Sequence, residues 1–187
     1  MTAPFTLKQL EKAQEALYGT RLGRNEYPLH VVRLRRSREL QGVALSLAAM
    51  LAWSSCEFPL AYLPWDQWKR LLRDAPKKMR DGSSLPLKLY RGDDSAGWSK
   101  TVDNNASWTT DEDTAVWFAN RMSSFANLES NRVSDTLSKP LVLEMSEPKP
   151  EWVIAVYDPL IGRDEHEVIL DPYFVSPSHV TIRSLGE

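Results

Sequence analysis

Cysteine is almost absent from this chain: among 187 residues, Cys56 stands alone. One thiol cannot close an internal disulfide or supply a cysteine-based zinc site, so packing must hold the core and a reducing compartment is expected. Histidine is scarce too, and His30, His166 and His179 are far apart with no ligand spacing, so no metal is expected. Long apolar runs are missing. The longest, "VALSLAAMLAW", falls well short of the roughly 20 residues a membrane span needs, and "MTAPFTLKQLEKAQEAL" puts Lys and Glu where a signal peptide would be apolar. These features predict a cytoplasmic protein without a membrane partner. An excess of one charge is also lacking: 23 Lys and Arg against 25 Asp and Glu give a net charge of -2 and no global pull toward nucleic acid. Internal repeats and low-complexity segments are absent.

What is present is a globular composition, 42% hydrophobic and 26% charged with seven Trp, which suits one domain over residues 1–187. Its first 80 or so residues read as mostly helical. Residues 7–18 form one helix, and a second, from Glu39 to about Trp53, aligns Leu40, Val43, Ala44, Leu47, Met50 and Leu51 on one face. A third starts near Pro64. From residue 85 the texture changes. Leu85, Leu87 and Leu89 alternate with polar positions up to Arg91-Gly92, which predicts a strand. A helix follows from about Asp111 to Ala126, capped by Thr110 with Asp113, its inward stripe being Ala115, Phe118, Ala119, Met122, Phe125 and Ala126. Trp117 is expected in or near the core. The runs "PLVLEM", "WVIAVY", "HEVIL" and "HVTIRSL" read as strands, and the order of elements predicts an α+β fold on mixed or antiparallel sheet.

The stretch "GRDEHEVILDP" poses a physical question. If Glu165 to Leu170 is a strand, Glu165 and Glu167 project from one face about 7 Å apart. Two carboxylates so placed raise each other's pKa unless a cation or hydrogen bonds compensate, a cost that a ligand site would justify; the plainer reading is a solvated strand entry. Upstream, "LKLYRGDD" puts Arg91 on a strand followed by a glycine that permits close backbone approach. "SWTTDEDTAVWFANR" puts hydroxyls before a helix, an arrangement that otherwise serves as a cap.

Taken in that order, these segments resemble the R-S-E class of the ADP-ribosyltransferase superfamily, over about residues 85–175. Arg91 matches the strand-borne arginine, "EHEVIL" matches Glu-x-Glu before an apolar strand, and Phe118-Ala119 matches the family helix. "WTTD" departs from the family's Ser-Thr-Ser, with Thr109 aligned to the first serine and Asp111 at the third position. The resemblance implies two packed, mainly antiparallel sheets with N-terminal helices, and NAD in a cleft between the sheets. Arg91 would face its phosphates and Thr109 would position the nicotinamide ribose. Gly92, Trp108, Thr110 and Phe118 would line the dinucleotide. Glu167 would bind the ribose 2'-OH and oppose the cation that forms as nicotinamide leaves, and Glu165 would orient the acceptor. The implied activity is mono-ADP-ribosylation of a macromolecule by a bacterial or phage effector or toxin, with protein arginine favoured over an RNA or DNA base, and an antitoxin or host protein as a further partner. An NAD glycohydrolase and a catalytically degenerate binding module are the alternatives. The basic stretch "HVVRLRRSREL" is either a solvated helix face or a patch for an anionic partner.

Overall fold

The computed structural model describes residues 5–78, 87–95, 106–129, 138–157, 160–161 and 165–185, the side chains of 126, 128 and 129 excepted. The chain divides into two compact units, Met1–Ser84 with Ile154–Asp164, and Leu85–Val153 with Glu165–Glu187. The class is α+β.

The first unit is helical: α1 (Leu7–Tyr18), α2 (Tyr27–Arg36), α3 (Gly42–Ser55) and two short helices, α4 (Pro59–Tyr62) and α5 (Trp65–Leu71). Thr6 opens α1 with a capping box, its hydroxyl accepting from Gln9 N at 3.2 Å while its own N–H donates to Gln9 Oε1 at 2.8 Å. α3 does not bury one stripe, as its spacing suggested. Every side chain from Ala44 to Trp53 is buried, because the run is apolar all round and α1 and α2 pack against it. Its lone polar residue there is satisfied: Ser46 Oγ donates to Leu71 O at 2.7 Å and accepts from Asp74 N at 3.1 Å. Trp53 meets Trp68 edge-on at 5.0 Å and Trp65 at 6.1 Å. His30, 5% exposed, joins α2 to α1: its Nε2 hydrogen-bonds Ala16 O at 2.9 Å and its Nδ1 lies 2.6 Å from Arg33 Nη2.

The second unit carries β1 (Lys88–Asp94), β2 (Ser107–Thr109), α6 (Glu112–Glu129), β3 (Pro140–Ser146), β5 (Glu167–Leu170) and β6 (Val180–Ser184), while β4 (Val153–Val156) starts in this unit at Val153. Its strands follow the order β5-β2-β1-β3-β6, antiparallel throughout. The unit therefore has one sheet among its described residues, where two packed sheets were expected. That sheet has a weak seam. β1 pairs with β3 at every position from Lys88 to Asp94, and all of β2 pairs with β5, yet β1 and β2 share a single register pair, Tyr90 with Thr109. β1 also continues past the expected stop at Arg91-Gly92, and Leu87, 77% exposed, lies before it. Leu85 falls outside the described residues.

α6 packs on β1 through small residues. A Cβ on Gly92 would sit 2.1 Å from Ala115 O and 2.3 Å from Ala119 N, so the absent side chain lets the helix backbone settle on the strand. Ala115, Ala119 and Val142 form the buried cluster at this contact, and Ser123 is buried one turn further along. Geometry thus selects the narrow alanine side of the helix. Of the expected stripe, Phe118 is half-buried, Met122 and Phe125 are exposed, and the Ala126 side chain is outside the description. Trp117, expected in the core, is 53% exposed and stacks on Arg121, whose guanidinium also covers Phe125.

Gly92→Ala is therefore expected to destabilise the protein by about 3 kcal/mol, because backbone rather than a flexible side chain occupies the space. Urea unfolding monitored by circular dichroism measures this, and an unchanged midpoint would show that α6 does not lie so close to β1.

Candidate active site at the seam between β1 and β2

At the seam, a side chain takes a place that backbone would fill in a continuous ladder. Arg91, on β1, donates from Nη1 to the carbonyl oxygen of Ser107 on β2 at 2.7 Å, an acceptor open to it because the two strands pair at one position. Arg91 Nε lies 3.6 Å from Asp93 Oδ2, within ion-pair range but beyond hydrogen-bond length, and it is a buried nitrogen with no hydrogen-bond partner. The Asp93 side chain is 3% exposed. Burial lowers the pKa of the Arg91 guanidinium from its ordinary value, and Asp93 first and Glu167 second oppose that shift. An arginine so placed stays cationic.

Ser107 also reaches the catalytic candidate. Its hydroxyl donates to Glu167 Oε1, diagonally across β2 and β5, since Ser107 stands opposite Ile169 and Thr109 opposite Glu167. One residue thus touches both charges: its carbonyl accepts from Arg91 and its hydroxyl donates to Glu167, which is 7% exposed. A buried carboxylate is tolerated where hydrogen bonds and a cation support it, and both are present here. Sequence reasoning missed Ser107, although two residues before Thr109 on a strand is the same face. It also missed Asp93, which lies past the strand end expected at Arg91-Gly92.

Thr109 is tied to backbone at both ends of its hydroxyl. It is 6% exposed, donates to the carbonyl of Glu165 at 2.8 Å and accepts from Asp111 N at 3.0 Å. Its hydroxyl therefore joins the chain entering β5 to the start of α6. Glu165 does not share a strand face with Glu167. β5 begins at Glu167, and His166 before it has φ 48°, a left-handed conformation that breaks the alternation on which the two-carboxylate picture depended. Glu165 is half-buried and His166 exposed. Thr110 N continues the ladder to His166 O at 3.2 Å.

The cap of α6 is likewise shifted by one residue from Thr110. Asp111 Oδ2 accepts from Thr114 N at 2.9 Å and from Thr114 Oγ1 at 2.6 Å, and these two bonds hold its carboxyl below the usual pKa. The departure "WTTD" thus places its acid where a helix start favours one.

Trp108 is 3% exposed and buried in the sheet. Gly92 meets the α6 backbone and also the Cβ of Phe118, 2.8 Å from its would-be methyl. Trp98, which the sequence places seven residues after Arg91, lies outside the described residues. Tyr157 is engaged elsewhere, donating from its hydroxyl to Met50 O at 2.6 Å within the first unit. Comparisons with protein families, curated proteins and solved structures give no match. Function must therefore be argued from the residues themselves.

Because the folded-state pKa of Asp111 is depressed, its stabilising effect is present above the unfolded value, about 4, and lost as pH falls through the folded one. Asp111→Ala should cost about 1 kcal/mol at pH 7, with the gap to wild type closing below about pH 4. Thermal melts across that range measure it, and a gap independent of pH would remove the charge from the explanation.

Proposed function

We propose that the protein is a mono-ADP-ribosyltransferase that cleaves NAD at the nicotinamide–ribose bond and transfers ADP-ribose to a macromolecular acceptor, protein arginine first. The observation that carries this reading is the connection of Arg91 to Glu167 through Ser107. The residues suit the dinucleotide. Arg91 keeps its side chain 23% exposed, a cation that an anionic phosphate could pair with. Glu167 is a carboxylate held by Ser107, fit to take a hydrogen bond from a ribose hydroxyl and to oppose positive charge on the sugar.

In the reaction, the bond from ribose C1′ to the pyridinium nitrogen breaks and its electron pair leaves with neutral nicotinamide. The sugar carbon carries the resulting positive charge, and a fixed negative group beside it lowers the barrier more than it lowers the energy of bound substrate. An acceptor nitrogen then bonds to C1′ and gives up a proton. Glu165, half-buried just before β5, is the residue to orient a guanidinium acceptor; with water as acceptor the same cleavage is glycohydrolysis. Thr109 supports the reaction indirectly, by fixing the Glu165 carbonyl.

The test is incubation with labelled NAD and a cell lysate, followed by protease or nuclease digestion of the product. Label that protease releases supports the proposal, nuclease-sensitive label moves the acceptor to nucleic acid, and free ADP-ribose alone indicates glycohydrolysis. Glu167→Gln, which keeps size and removes charge, should reduce NAD cleavage at least about 10²-fold, and wild-type turnover in that variant would end the assignment. Glu165→Gln should lower transfer more than hydrolysis; equal losses would contradict the division of roles.

A further inference from the structure

The basic stretch at the end of α2 contributes to a feature that the catalytic reading leaves unused. Arg35, Arg38 and Arg73 line one open cavity of about 320 Å³, together with Leu40, Gln41, Gly42 and Leu45. Arg73 also lines a neighbouring cavity of about 380 Å³ with Asp66, Lys69 and Arg70. Around the two there are five cationic side chains and one acidic one. Among the described contacts Arg35, Arg38 and Arg70 have no side-chain ion pair or hydrogen bond, and Arg73, itself exposed, pairs with its half-buried neighbour Asp74 at 3.4 Å.

The cations are placed by the fold. Ser46, 1% exposed, binds Leu71 O and Asp74 N, which pins the segment carrying Arg73 to α3. Arg38 follows the C-cap of α2 at φ 61°, a position where glycine costs least. A large charged residue held in a strained conformation beside a cavity is an observation from which function is reasonably inferred. Gln41 gives α3 no side-chain cap, so the N–H groups of its first turn add positive potential at the same place. Leu40 and Leu45 are 1% and 8% exposed, so the lining offers little apolar surface to anchor a protein partner. Arginines in successive cavities that share a residue suit repeated phosphates.

We propose that this face of the helical unit binds the phosphodiester backbone of a nucleic acid, without base specificity. The inference does not depend on the catalytic proposal, and net charge of -2 does not oppose it, because the charge is local.

The test is fluorescence anisotropy with labelled 20-nucleotide oligo(U), oligo(dT) and a DNA duplex against the full chain. Dissociation constants in the range of about 1–100 µM are expected, and preference among the three identifies the source. Three single-strand phosphate contacts predict about tenfold weaker binding from 50 to 150 mM salt. The triple variant Arg35→Gln, Arg38→Gln, Arg73→Gln should bind at least about tenfold more weakly. A control carrying Lys8→Gln, Lys12→Gln and Arg21→Gln, exposed cations elsewhere, should stay within about twofold. Arg38→Gly separates fold from binding: it should raise Tm by relieving the backbone while reducing the salt slope by about 0.7. No binding at about 100 µM protein, equal losses in both triple variants, an unchanged triple variant, or equal competition by polyglutamate of matched charge would each overturn the proposal.

Discussion

The second unit depends on one constraint: a half-buried arginine and a buried glutamate on non-adjacent strands must be held near each other with their charges compensated. Ser107 meets it by using both of its oxygens, carbonyl toward Arg91 and hydroxyl toward Glu167. The arrangement requires that β1 and β2 pair at one position, because a full ladder would claim the Ser107 carbonyl for backbone. Truncating one member of such a set leaves the others buried without compensation, a loss of about 3–5 kcal/mol where a pair is fully desolvated. Stability and the proposed chemistry therefore draw on the same residues, and any activity assay of variants there needs a parallel measurement of folding.

The packing around the seam serves its rigidity. Gly92 follows Arg91 and admits the α6 backbone to the strand, which fixes β1. Thr109 and Asp111 then fix the other end, connecting the chain before β5 to the first turn of α6. Away from this contact, Lys88 pairs with Glu144 at 2.6 Å and Arg183 with Glu112 at 2.6 Å. Each pair has at least one solvent-exposed member, and such pairs add little stability.

Much of this fold was legible because it follows from periodicity. α1, α3 and α6 show apolar spacing, and β3, β5 and β6 coincide with apolar runs. The α6 face was misjudged because an apolar stripe and a close-packing stripe differ: Phe118, Met122 and Phe125 are the larger residues, but Gly92 selects Ala115 and Ala119. His166 and Arg38 in the left-handed region carry no sequence signal, since glycine or asparagine would have announced such turns. The single-face reading of Glu165 and Glu167 failed for that reason. At the candidate site, Arg91 and Glu167 were legible as residue types in an order, whereas Ser107 required knowledge of which strand lies beside which.

The most direct test of the central claim is an NMR titration of the isotope-labelled protein with NAD, following backbone amides. The account predicts saturable shifts concentrated at Arg91, Ser107 and Glu167 and their strand neighbours. Shifts confined to other residues, or none at millimolar NAD, would contradict it.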